Sequence, residues 1–151
     1  MKSILVTGCA GFIGSNFVPY FLEKYPDYYI INLDLLTYAG NLDNLKEVEK
    51  DERYTFVKGD ICDAAFVDRV LGDQVDLVVH LAARAGVRPS IEDPELYTSV
   101  NLVGTTALLE ACRRHEFDLV LISNAYTLEL INLPYLLIHS GIPLFASQRG
   151  P

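Results

Sequence analysis

The stretch Thr7–Gly14, TGCAGFIG, decides how this chain folds. It follows a short apolar run, Ser3–Thr7, and precedes a segment, 12–25, whose apolar residues recur at helical spacing. This order predicts a strand, a tight turn and a helix in immediate succession. The glycines are spaced G-x-x-G-x-x-G, and we expect Gly8 to permit the turn and Gly14 to let the helix pack closely on the sheet.

The same turn has the features of an anion-binding site for a dinucleotide. Gly11 would let the backbone approach a pyrophosphate closely, at the positive end of the helix dipole. Asp34 ends the second predicted strand, twenty residues after Gly14, where a carboxylate can accept hydrogen bonds from an adenosine ribose. No Lys or Arg lies between Asp34 and Lys46, so the 2′-phosphate of NADP would meet a bare carboxylate. The sequence therefore predicts NAD as the cofactor, with a glycine turn that binds nothing as the alternative.

The rest of the chain alternates short β-branched runs with longer helical segments. Predicted strands are Ser3–Thr7, Tyr28–Leu33, Tyr54–Val57, Asp76–Leu81, Asp118–Ser123 and a short sixth, Pro143–Ser147; predicted helices are Phe12–Tyr25, Asn41–Lys50, 63–71 capped by Asp63, Asp93–His115 and Tyr126–His139. This alternation requires right-handed crossovers. We therefore predict an α/β fold: one Rossmann-like, doubly wound parallel sheet of about six strands over residues 1–151, without a separate substrate domain.

Composition excludes several functional classes. The chain has 151 residues, of which 50% are hydrophobic, and a net charge of −8, which disfavours binding to nucleic acid or to an anionic membrane surface. No signal peptide or apolar run of about 18 residues is present. The scattered Cys9, Cys62 and Cys112 predict reduced thiols in a cytoplasmic protein without a metal site. We expect Cys9 to be a small packing residue and not a nucleophile, although a helix N-terminus would lower its pKa.

Five motifs carry a resemblance to a known family. They are Thr7–Gly14, Asn32–Asn41 (NLDLLTYAGN), Gly59–Ile61, His80–Ala83 and Asn101–Thr105. Together they resemble the extended short-chain dehydrogenase/reductases, and among these the NAD-dependent nucleotide-sugar epimerases and dehydratases. Residues 30–71 are most similar to dTDP-glucose 4,6-dehydratases and residues 80–115 to UDP-glucuronate 4-epimerases. The resemblance extends over about residues 1–123.

The resemblance implies cofactor roles for the matching positions. Asp60 and Ile61 would border the adenine, residues 81–83 would line the cofactor path, Asn101 would lie beneath the active site, and Ser123 would be near the nicotinamide. The complete predicted cofactor set is Gly8, Gly11, Phe12, Ile13, Gly14, Asp34, Asn41, Asp60, Ile61, Leu81, Ala82, Ala83, Asn101 and Ser123.

The catalytic pair of this family is not matched. The family uses Tyr-x-x-x-Lys, in which the lysine lowers the pKa of the tyrosine so that it can act as a base. None of the five lysines lies after residue 58, and the fourth residue after Tyr126 is Leu130. Ser123 and Tyr126 are the remaining catalytic candidates. Residues 124–151 match the family only loosely, and we interpret them as a shortened or rearranged end.

Three functions are compatible with this pattern. The first is an NAD-binding Rossmann domain of the nucleotide-sugar epimerase/dehydratase type that lacks catalytic competence. The second is a complete enzyme, acting on a nucleotide sugar, with unusual catalytic groups. The third is an engineered or minimal scaffold that retains the glycine loop without a catalytic role.

The segment 126–138 predicts self-association. Its apolar residues surround nearly the whole circumference of the predicted helix, so one buried stripe would leave the remainder exposed. Pairing about a two-fold axis would cover it, which predicts a homodimer. A bend at Pro134 that buries both sides within one domain is the alternative.

Overall fold

A computed structural model describes residues 1–72, 75–115 and, for the backbone alone, 120–122. The described strands are β1 (Lys2–Thr7), β2 (Tyr28–Asp34), β3 (Tyr54–Lys58), β4 (Leu77–His80) and β5 (Val120–Ile122). The helices are α1 (Phe12–Lys24), α2 (Ala64–Leu71), α3 (Val87–Glu92), α4 (Pro94–Thr98), a π-helical segment (Ser99–Gly104) and α5 (Thr105–Arg114). The strands are all parallel, in the order β3-β2-β1-β4-β5. The predicted α/β fold is confirmed; the sixth strand predicted at 143–147 lies outside the described residues.

Hydrophobic clusters cover both faces of the sheet. Successive side chains of β1 point to opposite faces, so Ile4 and Val6 pack on the side of α1 while Leu5 packs on the side of α2 and α5. A strand buried on both faces reads as a continuous apolar run, as the 3–7 segment does. The helices contribute Val18 and Leu22 to the first cluster, and Val67, Leu71 and Leu108 to the second.

Two predicted helices differ from the structure. The prediction of a helix at 41–50 is wrong: only a short 3-10 helix, Leu42–Leu45, forms there, with Asn41 as its N-cap, and residues 46–50 form turns. The single helix predicted at 93–115 is instead divided into α4, the π-helical segment and α5. Side-chain hydroxyls bonded to carbonyls four residues earlier accompany the junction with α5. Within the described residues, no helix is long and apolar enough to cross a bilayer.

Helix starts were better indicated by sequence than helix lengths. The Asp63 side chain accepts the Phe66 amide at the start of α2, as predicted. Asp93 likewise accepts the Leu96 amide at the start of α4, with Pro94 at the first helical position. The short α3 was not predicted.

The strand order places a crevice at the carboxyl ends of β1 and β4. The connection after β1 leads to β2 on one side of the sheet, whereas β4 lies on the other side. Thr7 and His80, the last residues of β1 and β4, are in register with each other. Ligands of open parallel sheets bind where the strand order reverses in this way.

Candidate functional site

Two glycines of the loop after β1 are required by the packing of the chain itself. Gly8 has a left-handed φ of +77°, and a Cβ there would lie 2.6 Å from the Ala82 backbone nitrogen. A Cβ on Gly14 would lie 2.3 Å from Cys9 Cα. The chain therefore turns tightly at Gly8, and α1 packs directly on that turn at Gly14, as the sequence predicts.

Gly11 is different, because the protein leaves room for a side chain there. A Cβ on Gly11 would meet only the Gly8 carbonyl oxygen at 3.4 Å, an ordinary contact. Gly11 is the N-cap of α1 and has no side chain with which to cap the helix, and no acidic residue lies in the first turn. The N–H groups of that turn have no intrahelical acceptor. Beside them, Phe12 and Ile13 are exposed at 84% and 57%, so the first turn presents N–H donors and apolar surface together.

Asp34 joins the end of β2 to the glycine loop. One carboxylate oxygen accepts the Ala10 amide at 2.9 Å, and the other accepts the Leu36 amide at 2.8 Å. The backbone amide of Asn41 donates to the backbone carbonyl of the same residue, Ala10. Each carboxylate oxygen can accept more than one bond, so Asp34 retains capacity for a ribose hydroxyl.

The residues predicted to border an adenine lie just after β3. The Asp60 carboxylate accepts the Cys62 amide at 2.9 Å, and the Gly59 amide donates to the Asp34 carbonyl. Ile61 is 5% exposed and belongs to the core, where its side chain packs beside Gly104. The backbone and the partly buried Asp60 therefore form the surface at this end of the crevice.

A buried polar network that the sequence analysis missed lies beneath the crevice. Thr7 Oγ1 is 2.6 Å from His80 Nδ1, and His80 Nε2 is 3.0 Å from Thr105 Oγ1. Thr7 Oγ1 also accepts the amides of Leu81 at 3.2 Å and Ala82 at 3.1 Å. A sequence signal existed: Thr7 and His80 are polar residues at the ends of otherwise apolar strands.

Burial controls the protonation of this region. Burial of His80 lowers its pKa from 6.5 to about 4, so the imidazole is neutral near pH 7. Burial, followed by the charge of Asp34, raises the pKa of Cys9, whose thiol donates to the Val6 carbonyl. The expectation that the helix N-terminus lowers the pKa of Cys9 is therefore wrong, and Cys9 is a packing residue.

Asn101 fixes the loop that follows β4. Its side-chain oxygen accepts the Arg84 amide at 2.7 Å, and its side-chain nitrogen donates to the Arg84 carbonyl at 2.9 Å. Leu81 and Ala82 are partly buried and Ala83 is exposed along the same loop. Asn101 thus lies near the predicted cofactor path, but its amide is bonded to backbone.

A contact between the loop after β2 and the loop after β4 spans the carboxyl end of β1. The Tyr38 hydroxyl, from the loop after β2, donates to the Ala85 carbonyl at 2.6 Å and accepts the Ala85 amide at 3.1 Å. The guanidinium of Arg84 lies over the Tyr38 ring, 5.5 Å from its centroid. Since β2 and β4 flank β1, this contact links the loops on both sides of the glycine loop.

The structure brings the predicted cofactor residues up to Asn101 to the carboxyl ends of the parallel strands. Ser123 and Tyr126, the catalytic candidates, lie outside the described residues, as does the segment 126–138. Among residues 1–72 and 75–115, no three His, Cys, Asp or Glu side chains form a group that could hold a metal ion.

Comparison with known proteins agrees with this arrangement. A dTDP-glucose 4,6-dehydratase of Shigella flexneri is 48% identical over 113 residues, covering 74% of this chain and 31% of the relative. The structure of dTDP-glucose 4,6-dehydratase from Streptomyces venezuelae, solved with NAD, matches with a TM-score of 0.74 and 45% identity over 79% of this chain and 38% of that one. UDP-glucose 4-epimerase of Thermus thermophilus, also solved with NAD, matches with a TM-score of 0.68 and 36% identity over 79% of this chain and 36% of that one.

The chain spans about a third of the length of the curated relatives it matches. The family model of GDP-mannose 4,6 dehydratase matches residues 5–127 and so includes the glycine loop, Asp34 and the loop after β4. By this match, the chain belongs to the GDP-mannose 4,6 dehydratase family.

Proposed function

We propose that this chain binds NAD in the crevice at the carboxyl ends of β1 and β4, as the cofactor-binding part of a nucleotide-sugar dehydratase or epimerase. Gly11 carries the proposal. The chain's own packing explains Gly8 and Gly14 but leaves Gly11 with only a 3.4 Å contact. A backbone that must approach a pyrophosphate closely explains the missing side chain. Similar dehydratases and epimerases are solved with NAD, which supports the same ligand here.

The geometry supports a defined orientation for this ligand. The diphosphate would lie against the free N–H groups of the first turn of α1, with Phe12 and Ile13 beside it. Asp34 would accept the adenosine ribose, and Asp60 would border the adenine. The nicotinamide half would extend along the loop after β4, residues 81–83.

The decisive experiment is a calorimetric NAD titration of the chain and of Gly11→Ala. The added methyl makes an ordinary contact in the protein, so the free energy of unfolding should change by less than about 1 kcal/mol. It would stand in the path of the diphosphate, and we expect NAD affinity to fall at least about tenfold. An unchanged affinity, or a chain that binds no NAD, contradicts the proposal.

We expect the chain to prefer NAD over NADP, because a 2′-phosphate would meet the Asp34 carboxylate. The informative variant is Asp34→Asn with Leu35→Arg, which removes the charge and adds a cation at a side chain that is 40% exposed. Asn retains an acceptor oxygen for one of the two amides that Asp34 holds. Parallel titrations should show the preference reduced in the double variant and intact in Leu35→Ile; equal affinities of the parent chain for both cofactors would refute it.

We further propose that the chain does not turn over nucleotide sugars efficiently. Oxidation of a sugar hydroxyl needs a base with a pKa near neutrality, and this sequence has no lysine after residue 58 to activate a tyrosine. An assay with NAD and dTDP-glucose or UDP-glucose should show turnover well below about one per second. Faster turnover would direct attention to Tyr126 and Ser123.

All three cysteines are free thiols, which supports a cytoplasmic location.

We also expect self-association through the apolar segment 126–138. Leu137→Glu would place a charge on that surface and should shift the chain towards monomer. Light scattering at tens of micromolar measures the effect. Lys50→Gln, an exposed change at a distant position in the sequence, lowers the net charge by the same amount and serves as the control. A monomeric parent chain excludes this interface.

A further inference from the structure

The protons of the buried network can be placed by counting donors and acceptors. Thr105 Oγ1 lies 2.8 Å from the Asn101 carbonyl oxygen and 3.0 Å from His80 Nε2. A hydroxyl has one proton, and a carbonyl can only accept. Thr105 therefore donates to Asn101 and accepts from His80, which requires the proton of the imidazole to be on Nε2.

The hydroxyl of Thr7 gives the same answer independently. Its oxygen accepts the amide of Ala82 and shares the amide of Leu81 with the Thr7 backbone carbonyl, so both of these neighbours are donors. Its own proton then points to His80 Nδ1, 2.6 Å away. The opposite tautomer would direct three donors at one oxygen and leave the hydroxyl proton of Thr7 without an acceptor. In the Nε2–H tautomer, every member of the network has a partner.

The network lies between two anchors of the loop after β4. Thr7 holds the start of this loop through the backbone amides of residues 81 and 82. The side chain of Asn101 holds Arg84 by bonding to both the backbone amide and the backbone carbonyl of Arg84. The backbone carbonyl of Asn101 is the group to which Thr105 donates. His80, 3% exposed, bonds to Thr105 at one end and Thr7 at the other. It therefore connects the two anchors.

We propose that His80, kept as the Nε2–H tautomer by Thr105, is the positioning residue of the cofactor crevice. By accepting the Thr7 proton, His80 turns both lone pairs of that hydroxyl towards the loop after β4. This sets Ala82 against Gly8, where a Cβ would have no room. The inference rests on the proposed function only in taking NAD as the ligand of this crevice. His80 acts through Thr7 and contacts no ligand.

The chain offers a matched control at the next residue. The hydroxyl of Thr106 donates to the Leu102 carbonyl over the same 2.8 Å as Thr105 to Asn101, but its partner is not a member of the network. Thr105→Val removes the acceptor of His80 Nε2–H, Thr105→Ser restores a hydroxyl, and Thr106→Val removes an equivalent helix bond. These changes are smaller than a substitution of His80 itself, so the variants should retain the fold.

Three measurements on these chains test the proposal. Nitrogen-15 NMR of the imidazoles should show the proton of His80 on Nε2 in the parent chain. Amide exchange of Ala82, which bonds to the Thr7 hydroxyl, should become about tenfold faster in Thr105→Val, and NAD affinity should fall by a similar factor. Thr105→Ser should recover most of both, and Thr106→Val should stay within about twofold of the parent.

Two results would overturn the role of His80. One is a parent chain with the proton on Nδ1, and the other is a Thr105→Val chain that behaves like Thr106→Val. A parent chain that binds no NAD refutes the proposed function instead; the tautomer and the amide exchange then still decide whether His80 sets the position of this loop.

Discussion

Gly14→Ala should unfold the chain far more readily than Gly11→Ala, which adds a methyl in the same glycine loop. The new Cβ would lie 2.3 Å from Cys9 Cα and 2.6 Å from the Gly8 carbonyl oxygen. Both obstacles are backbone, so α1 must move away from the turn that it covers. Overpacking a core usually costs about 1–3 kcal/mol, and we expect at least about 3 kcal/mol here because no flexible side chain can give way. Urea unfolding followed by circular dichroism measures the loss.

Two other glycines separate the causes of this loss. Gly72 has a φ of +41° and nothing within 4 Å of an added Cβ, so Gly72→Ala reports the conformational cost alone, about 1 kcal/mol. Gly11→Ala adds a methyl at the N-cap of the same helix and meets one atom at an ordinary distance. If Gly14→Ala is no more destabilising than these two, the close packing of α1 on its turn does not hold the domain together.

The second large effect is a loss of stability between pH 6.5 and pH 4. The pKa of His80 is about 4 in the folded chain against an ordinary 6.5, because the imidazole is buried. Across this interval the unfolded chain binds the proton and the folded chain does not, so the free energy of unfolding falls as pH falls. The difference of pKa corresponds to roughly 3 kcal/mol, fully lost below pH 4 and fully regained above pH 6.5.

His80→Gln isolates this effect, because glutamine does not titrate. The variant will be less stable at pH 7, but its free energy of unfolding should depend much less on pH between 6.5 and 4. Asp51 and Asp68, whose pKa values are lowered by Arg53 and Arg114, lose their contribution progressively below about pH 5, and they do so alike in the parent and in the variant. Parallel pH profiles for the parent and the variant would show that His80 is not the group responsible.

Local sequence signals predicted the architecture because they are strong in this fold. The run at Ser3–Thr7 is apolar because β1 is central and buried on both faces, and Asp63 and Asp93 mark helix starts by capping them. Helix lengths were harder to predict. The 93–115 segment has one continuous helical pattern, yet the structure divides it, with Gly104 packed against core side chains from the loop after β3. Such contacts between distant segments leave no periodic signal in the sequence.

The candidate site was predicted as a set of positions but not as a set of contacts. The glycine loop, Asp34 and residues 81–83 follow from motif spacing and from family resemblance. The network of Thr7, His80 and Thr105 depends on two strand ends and a helix turn meeting in space. A lone polar residue at the end of a buried strand needs a hydrogen-bond partner, but the sequence does not identify that partner.

Asp34 has both a structural role and a proposed binding role, and this has an evolutionary consequence. The carboxylate shapes its own turn and the glycine loop, and it is also the group proposed to receive the ribose. A lineage that exchanges this residue to accept a new cofactor would deform the loop in the same step. Drift towards another cofactor is therefore easier at neighbouring surface positions such as Leu35, which can vary while the acidic residue is inherited unchanged.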